Sequence, residues 1–425
     1  MSTTTRRQFL KRAAAGMVAA GASAAVLPAR AAAPRVVVIG GGYGGATAAR
    51  YLRQWAPDIA VTLVERDAAF VSCPLSNRIL AGLADLPDIT RSYAPLHDKA
   101  GVDVVRDEAI EIDPVAQRVK LASGSVLPYD RLILSPGLDL VYDDLPGLQS
   151  AQAREGVLHA WKAGPETLAL RKQLEAMPDG GVFAISIPKA PYRCPPGPYE
   201  RACLVAWYFK RAKPKSKILL LDANEKVQSK EVLFTTVWKD QYGGMVEYRP
   251  NSQLLDVDSA TRTAKFEFED VTADVLNVVP PQRAARIAAR TGLITANDKW
   301  CGVDFLTFES TAQRNIHVLG DAVLAAPAMP KSGHMANQHA KVCAAAVIAL
   351  LRGEPVNRNP MLSNTCYSFT SDTEAVHIAS IHHYDAEKKT LVTVPGSGGL
   401  SSAPNALEGE YAQAWARNIW ADMLG

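Results

Sequence analysis

The sequence predicts an α/β protein built from two Rossmann-like dinucleotide-binding units and a C-terminal α+β segment. Three observations lead there. Val36-Val37-Val38-Ile39 runs without a gap into Gly40-x-Gly42-x-x-Gly45, a buried-strand pattern followed by the spacing that turns a strand onto a helix. A second apolar run, Val61-Thr62-Leu63-Val64, ends at Glu65, where a ribose-binding acid belongs. A second strand–helix–strand unit follows: Gly180 to Ile187, a helix from about Tyr199 to Lys210, and Lys217 to Asp222.

The chain opens on Thr5-Arg6-Arg7-Gln8-Phe9-Leu10-Lys11, a weakly apolar Ala/Gly/Val stretch and Ala29-x-Ala31. This is the form of a twin-arginine export signal over residues 1–31, so the mature protein is expected in the periplasm. Those residues carry five basic side chains and no acid, leaving 41 Lys and Arg against 43 Asp and Glu in the remainder. That near-neutral balance gives no reason to expect nucleic acid as a partner. No later segment reaches 18 uninterrupted apolar residues, so no membrane span is expected.

In the first unit Gly40 permits the tight turn and Gly42 lets the backbone approach a pyrophosphate. Gly45 lets the helix, expected from about Ala46 to Trp55, pack on the strand. The helix N-terminus then offers free N–H groups to the phosphates. Beyond Glu65 lies Phe70-Val71-Ser72-Cys73-Pro74-Leu75-Ser76-Asn77, a loop or helix start near the ribityl or ring end of a bound nucleotide. On local sequence alone Cys73 reads as a small buried residue.

Leu127-Pro128-Tyr129-Asp130-Arg131-Leu132-Ile133-Leu134-Ser135-Pro136-Gly137 resembles the second FAD motif of the two-dinucleotide-domain flavoproteins. Asn315-Ile316-His317-Val318-Leu319-Gly320-Asp321-Ala322 resembles their third, whose carboxylate usually holds the ribityl chain. Three motifs in order make the dinucleotide FAD, with Gly137 and Asp321 among its binding residues, and make the fold the glutathione-reductase type. In that architecture the second unit binds NAD(P)H. Here its strand is followed by Pro188-Lys189-Ala190-Pro191-Tyr192-Arg193-Cys194-Pro195-Pro196, with no glycine triplet. Proline has no N–H to offer a pyrophosphate, so NAD(P) is expected neither as donor nor as acceptor. Residues 250–280 read as hairpin strands returning the chain to the FAD domain. Met329-Pro330-Lys331-Ser332-Gly333 leads into a helix from His334 to about Leu351. Its N-terminus should approach the flavin's pyrimidine end, where Lys331 either stabilises an anionic reduced ring or is simply exposed. The expected domains are 34–147 with 288–355 for FAD, 148–287 for the degenerate NAD-type unit, and 356–425 for the C-terminal interface segment.

The six cysteines are at 73, 194, 203, 301, 343 and 366. An exported chain could pair them, in any of 15 full connectivities, but C-x-x-C and C-x-x-C-H are both absent. Cys203 and Cys343 fall in helices among apolar neighbours and read as buried thiols; Cys301 has no assigned role.

Several segments resemble the flavin-binding subunit of flavocytochrome c sulfide dehydrogenase. They are Arg193-Cys194-Pro195-Pro196-Gly197-Pro198-Tyr199-Glu200-Arg201-Ala202, Cys73-x-Leu75-Ser76-Asn77, Pro280-Pro281-Gln282-Arg283-Ala284, Met329-Pro330-Lys331-Ser332-Gly333 and Asn364-Thr365-Cys366-Tyr367. The resemblance implies that Cys73 bonds covalently to the flavin and that Cys194 and Cys366 form a redox-active disulfide over its ring. It further implies that Glu200 and Trp415 line that site. Glu200 manages the proton of incoming H2S or pairs with Arg201 or Arg193. The implied activity is oxidation of hydrosulfide to sulfane sulfur or polysulfide, with electrons passing through FAD to a c-type cytochrome subunit in a heterodimer. Two other readings remain: a sulfide:quinone oxidoreductase, and a flavoprotein that relays electrons or repairs thiols without oxidising sulfide. Leu407, Tyr411, Trp415, Ile419 and Met423 recur at helical spacing near the C-terminus, as a membrane-facing helix would require. Glu408, Glu410 and Asp422 against Arg417 alone suit anionic lipid poorly.

Overall fold

The computed structural model describes residues 33–425; the export-signal assignment to residues 1–31 lies outside them. Strand β1 (Arg35–Ile39) is followed by helix α1 (Tyr43–Trp55), β2 (Ala60–Glu65), the short helix α2 (Ser76–Leu80), β3 (Asp103–Arg106) and β4 (Arg131–Leu134). With Ile316–Val318 these strands form a five-stranded sheet in which β1 lies between β2 and β4, all parallel. Parallel strands are covered on both faces, which is why their sequences are continuous apolar runs rather than alternating ones. Val38, Leu63 and Ile133 are completely buried on the face packed by α1, and Val37, Leu132 and Leu134 on the other.

After β5 (Leu138–Leu140) the chain builds the second unit. It comprises β6 (Val182–Ile187), α3 (Gly197–Ala212), β7 (Lys217–Asp222), α4 (Glu231–Asp240), β8 (Val246–Arg249) and β9 (Val275–Val278), in the parallel order β8-β7-β6-β9. The helix α3 buries Tyr199, Ala202, Cys203, Val205, Ala206 and Phe209 against that sheet. The expected return through hairpins at 250–280 needs correction. The strands Asp256–Asp258, Thr263–Lys265 and Asp270–Thr272 form a meander, and Val275–Val278 then joins the second sheet beside β6. The chain reaches the first unit only at β10 (Gln282–Ala284), antiparallel to β5. Val275, Leu276, Asn277 and Val278 are all buried, which suits a sheet interior better than a hairpin.

The last of the first sheet's strands, β11 (Ile316–Val318), is followed by α5 (Gly333–Arg352). Ser332 caps this helix through its Oγ on the Met335 amide at 3.1 Å, and Gly353 closes it at φ +71°. The C-terminal segment is an antiparallel sheet of β12 (Met361–Phe369), β13 (Ala375–Asp385) and β14 (Thr390–Thr393), crossed by α6 (Ala406–Leu424). On α6 Ala412, Ala416, Ile419, Trp420, Met423 and Leu424 are buried, whereas Leu407 and Tyr411 are about half exposed. Among the described residues no helix is long and apolar enough to cross a membrane.

Candidate active site

A cavity of ≈ 770 Å3 runs from the glycine loop to the N-terminus of α3 and the middle of β12. Gly40 has φ +94°, and a Cβ there would lie 2.3 Å from the Ser135 carbonyl oxygen. A Cβ on Gly45 would lie 1.8 Å from the Gly40 oxygen, so this glycine packs helix on strand and does not itself line the cavity. Gly42 is the opposite case: it lines the cavity and a Cβ would meet nothing within 4 Å. That open side is where a pyrophosphate can approach the backbone. Glu65 accepts the Gly41 amide at 2.6 Å and the Asp67 amide at 2.8 Å at the same end of the cavity. Gly137, at φ +68°, and Asp321 line it further along. Asp321 Oδ1 is sequestered with no hydrogen-bond partner in the protein, a carboxylate oxygen waiting for a donor such as a ribityl hydroxyl. The glycine cradle, the ribose acid and this unpartnered oxygen together fit FAD.

Cys73 opens the turn before α2, and its Sγ faces the carbonyl of Trp161 at 3.8 Å on the cavity wall. Cys194 and Cys366 line the same cavity from the loop before α3 and from β12. The structure holds these two as separate thiols, as it does all six cysteines. Cys203, Cys301 and Cys343 are buried away from it. Cys194 occupies the left-handed region at φ +58°, strained for a residue with a Cβ. Three features hold it there: its amide donates to the Lys331 carbonyl at 2.9 Å, its carbonyl accepts the Gly197 amide at 2.9 Å, and its sulfur packs on Gly197. A Cβ on Gly197 would lie 3.0 Å from that sulfur and 2.8 Å from the Trp161 ring. Burial pushes the Cys194 thiol up to about 12.

Glu200, one turn into α3, lines the same cavity as both cysteines. Its Oε1 accepts the Phe369 amide and its Oε2 accepts Asn77 Nδ2, each at 2.9 Å. It pairs with neither Arg201 nor Arg193, so the ion-pair alternative is set aside. Burial holds its carboxyl above the usual range, against the two hydrogen bonds and the nearby Lys230 and Arg78. Trp415 on α6 lines the cavity and meets the His334 ring edge-on, with centroids 5.9 Å apart.

The expectation for Lys331 needs correction. Its ammonium donates to the carbonyls of Asp321 at 2.9 Å and Val323 at 2.5 Å, and sits 3.6 Å from the centre of the Trp300 ring. The side chain is 6% exposed and does not line the cavity. Two orphan carbonyls and an aromatic face capture the ammonium before it can reach a flavin, and burial lowers it to about 8. What Lys331 offers the site is its backbone carbonyl.

Sequence reasoning missed the cations that do face the cavity, among them Arg66, Lys162, Arg193 and Arg286. Arg193 lines it, with its amide held by Gln282 Oε1 at 2.8 Å and its guanidinium on the Trp161 carbonyl. Also missed were Lys230, whose Nζ donates to the Cys366 carbonyl at 3.0 Å, and Arg201, buried under the site. Arg193 and Arg201 flank the proline-rich cysteine segment, a signal that was in view. Lys230 stands in a loop with nothing local to mark it.

The parallel sheets and the glycine-loop cavity define a flavoprotein of the pyridine nucleotide-disulphide oxidoreductase class, whose family model matches residues 34–174. Two more specific models match further stretches: the central region of the sulfide dehydrogenase [flavocytochrome c] flavoprotein chain over 167–280, and the flavocytochrome c sulphide dehydrogenase flavin-binding region over 358–424. A 37-residue stretch is 62% identical to the sulfide dehydrogenase [flavocytochrome c] flavoprotein chain of Chlorobaculum thiosulfatiphilum, covering 9% of this chain and 77% of that sequence. The chain belongs to the flavocytochrome c sulfide dehydrogenase flavoprotein family. It is also 24% identical over 301 residues to the mitochondrial sulfide:quinone oxidoreductase of Mus musculus, covering 65% of this chain and 63% of that protein's length. The sulfide:quinone oxidoreductase of Aquifex aeolicus has the same fold, with a TM-score of 0.75, 20% identity and 92% of each chain covered.

Proposed function

We propose that this flavoprotein oxidises hydrosulfide at the Cys194–Cys366 pair and passes the electrons through FAD to a c-type cytochrome subunit. The observation that carries the reading is one cavity lined by both cysteines, the buried Glu200 and the glycine loop. The chemistry starts from the pair in its disulfide form. Hydrosulfide attacks one sulfur and breaks the S–S bond, leaving a persulfide on one cysteine and a thiolate on the other. A second hydrosulfide takes the outer sulfur as a disulfane, and the persulfide cysteine becomes a thiolate. The bound flavin supplies acceptance of two electrons from the thiol pair, which closes the disulfide again, and their release one at a time. Glu200, held by Asn77 and Phe369, takes the proton that hydrogen sulfide or the disulfane gives up. Trp161 and Trp415 supply apolar wall to the cavity that holds both cysteines. Cys73 is the residue that would attach the flavin covalently, and Arg193 lines the same cavity as a fixed positive charge.

Asp222 ends β7 as Glu65 ends β2, yet its oxygens are taken by Tyr199, Tyr248 and Asn224 at 2.7–3.1 Å. This and the proline loop support a chain that uses no NAD(P). Export to the periplasm completes the reading and rests on the first 31 residues alone.

Similarity to sulfide:quinone oxidoreductases favours a second reading, in which a quinone is the acceptor. Anaerobic sulfide should bleach the flavin of the purified protein. Reoxidation by a c-type cytochrome, and not by a water-soluble quinone, is the expected result; the reverse preference overturns the acceptor assignment, and a flavin untouched by stoichiometric sulfide overturns the activity.

A further inference from the structure

Asn77 sits between two groups that fix which way its side-chain amide points. It is 8% exposed, on α2, and lines the cavity. Arg201 Nε approaches its Oδ1 at 3.1 Å. A guanidinium can only donate, so the oxygen of Asn77 must face Arg201 and the NH2 must face away. On that far side Asn77 Nδ2 donates to Glu200 Oε2 at 2.9 Å and to the Gly197 carbonyl at 3.3 Å.

Arg201 is itself immobilised. Its NH1 donates to Asn277 Oδ1 at 2.6 Å and the His159 carbonyl at 2.9 Å, and its NH2 to the Ala160 carbonyl at 2.7 Å. Asn277 is pinned in turn by its own donation to the Leu158 carbonyl at 2.6 Å. No carboxylate forms an ion pair with Arg201, so its charge is spread over amide and carbonyl oxygens of β9 and the 158–160 segment. Asn77 is the one of these partners that also touches Glu200.

We propose that Asn77, polarised by Arg201, is the positioning residue that orients the Glu200 carboxyl and sets its proton affinity. The second anchor of Glu200 is the Phe369 amide at 2.9 Å, on the strand that carries Cys366. The carboxyl therefore spans α2, α3 and β12, and its geometry reports on both sulfur-bearing segments at once. The other charged or titratable groups near it are Arg78 from α2, Lys230 from the start of α4, Cys194 from the proline loop, and Arg201 and Cys203 from α3 itself. None of the five hydrogen-bonds the carboxyl, so the amide is the side-chain contact that a substitution can change alone.

The inference rests on the reading of Glu200 as the proton-handling group, and its test is separable from that reading. In Asn77→Asp one new oxygen keeps Arg201 and the other faces Glu200 Oε2 at hydrogen-bond distance. Two carboxylates sharing a site cannot both ionise. The protonated-carboxyl infrared band of the flavoprotein, assigned to Glu200 by its loss in Glu200→Gln, should then titrate higher by about one pH unit or more. Asn77→Ser, which is too short to bridge, should move it in the same direction by less, and serves if the first variant does not fold. The pH profile of sulfide-dependent bleaching should shift with the band while the oxidised flavin spectrum stays unchanged. A Glu200 band that titrates as in the wild type in both variants overturns the proposal. Wild-type flavin that sulfide does not bleach overturns the activity and leaves the infrared titration standing as the test of positioning.

Discussion

The amide of Cys194 donates to the carbonyl of Lys331 at 2.9 Å, joining the sulfur-bearing loop of the second unit to the segment that leads into α5. Through its side chain the same lysine holds the carbonyls of Asp321 and Val323. Lys331 is thus a strut between the flavin-facing carboxylate and the left-handed cysteine, with its charge directed away from the cavity.

That placement makes a pH prediction. Lys331 ionises near 8 in the fold against 10.5 when exposed. Below pH 8 it is charged in both the folded and unfolded states, and the cost of burying the ammonium is fully present. Between 8 and 10.5 only the unfolded chain keeps the proton, so the group's contribution to stability improves as pH rises. Lys331→Met lacks this titration. The wild type should therefore gain stability relative to the variant between pH 8 and 10.5 in denaturant melts of the two proteins; a difference constant with pH would remove the assignment.

Two glycines of one loop should fail differently. Gly45→Ala drives a methyl against the Gly40 oxygen, and overpacking of this kind costs about 1–3 kcal/mol or more. Gly42→Ala meets no atom of the protein, at φ −72°. In a Cys73→Ser background, where no covalent bond holds the cofactor, its flavin-free form should melt like the unsubstituted flavin-free protein, yet the variant should lose flavin on dialysis. Equal melting temperatures for the two variants, or full flavin retention in Gly42→Ala, would contradict the division of labour.

Asp321→Ala should separate binding from folding. Its Oδ1 has no partner in the protein, so removing the carboxylate takes nothing from the fold there. Hydrogen bonds to a charged acceptor contribute about 1.5–3 kcal/mol, so in a Cys73→Ser background, where binding is reversible, flavin affinity should fall by roughly tenfold to a hundredfold. The melting temperature of the flavin-free protein should not drop; a drop would show that the residue is structural.

The cysteines divide in the same way. Cys366→Ser should abolish bleaching by sulfide while the flavin stays bound, because the hydroxyl cannot close a disulfide with Cys194. Cys73→Ser should leave a flavin that acid precipitation releases into the supernatant. A sulfide rate unchanged in the first variant, or wild-type protein that already precipitates colourless, would break the respective assignment.

Much of this was legible along the chain because it is local. The glycine spacing, the strand runs and Glu65 lie within 31 residues of one another, from Arg35 to Glu65. The chemistry of turn, strand and helix start leaves few alternatives over so short a span. The proline-rich loop likewise announces itself, since each proline removes a donor. The second unit's return path was not legible: segments as short as Val246 to Arg249 and Val275 to Val278 fit a hairpin or a parallel sheet equally until their neighbours are known.

The sequence by itself determined the α/β class, the glycine-loop site and the cysteines worth watching, for each is carried by residue type and spacing. Only the tertiary structure decided where charges go. Lys331 follows a helix-start motif and looks like a flavin partner, but the carbonyls at 321 and 323 and the Trp300 ring captured its ammonium. Arg201 and Asn77 stand 124 positions apart and come together because α2 and α3 pack side by side. Hydrogen-bond partners of a buried polar group are chosen by which atoms are within about 3 Å, and no one-dimensional pattern records that distance.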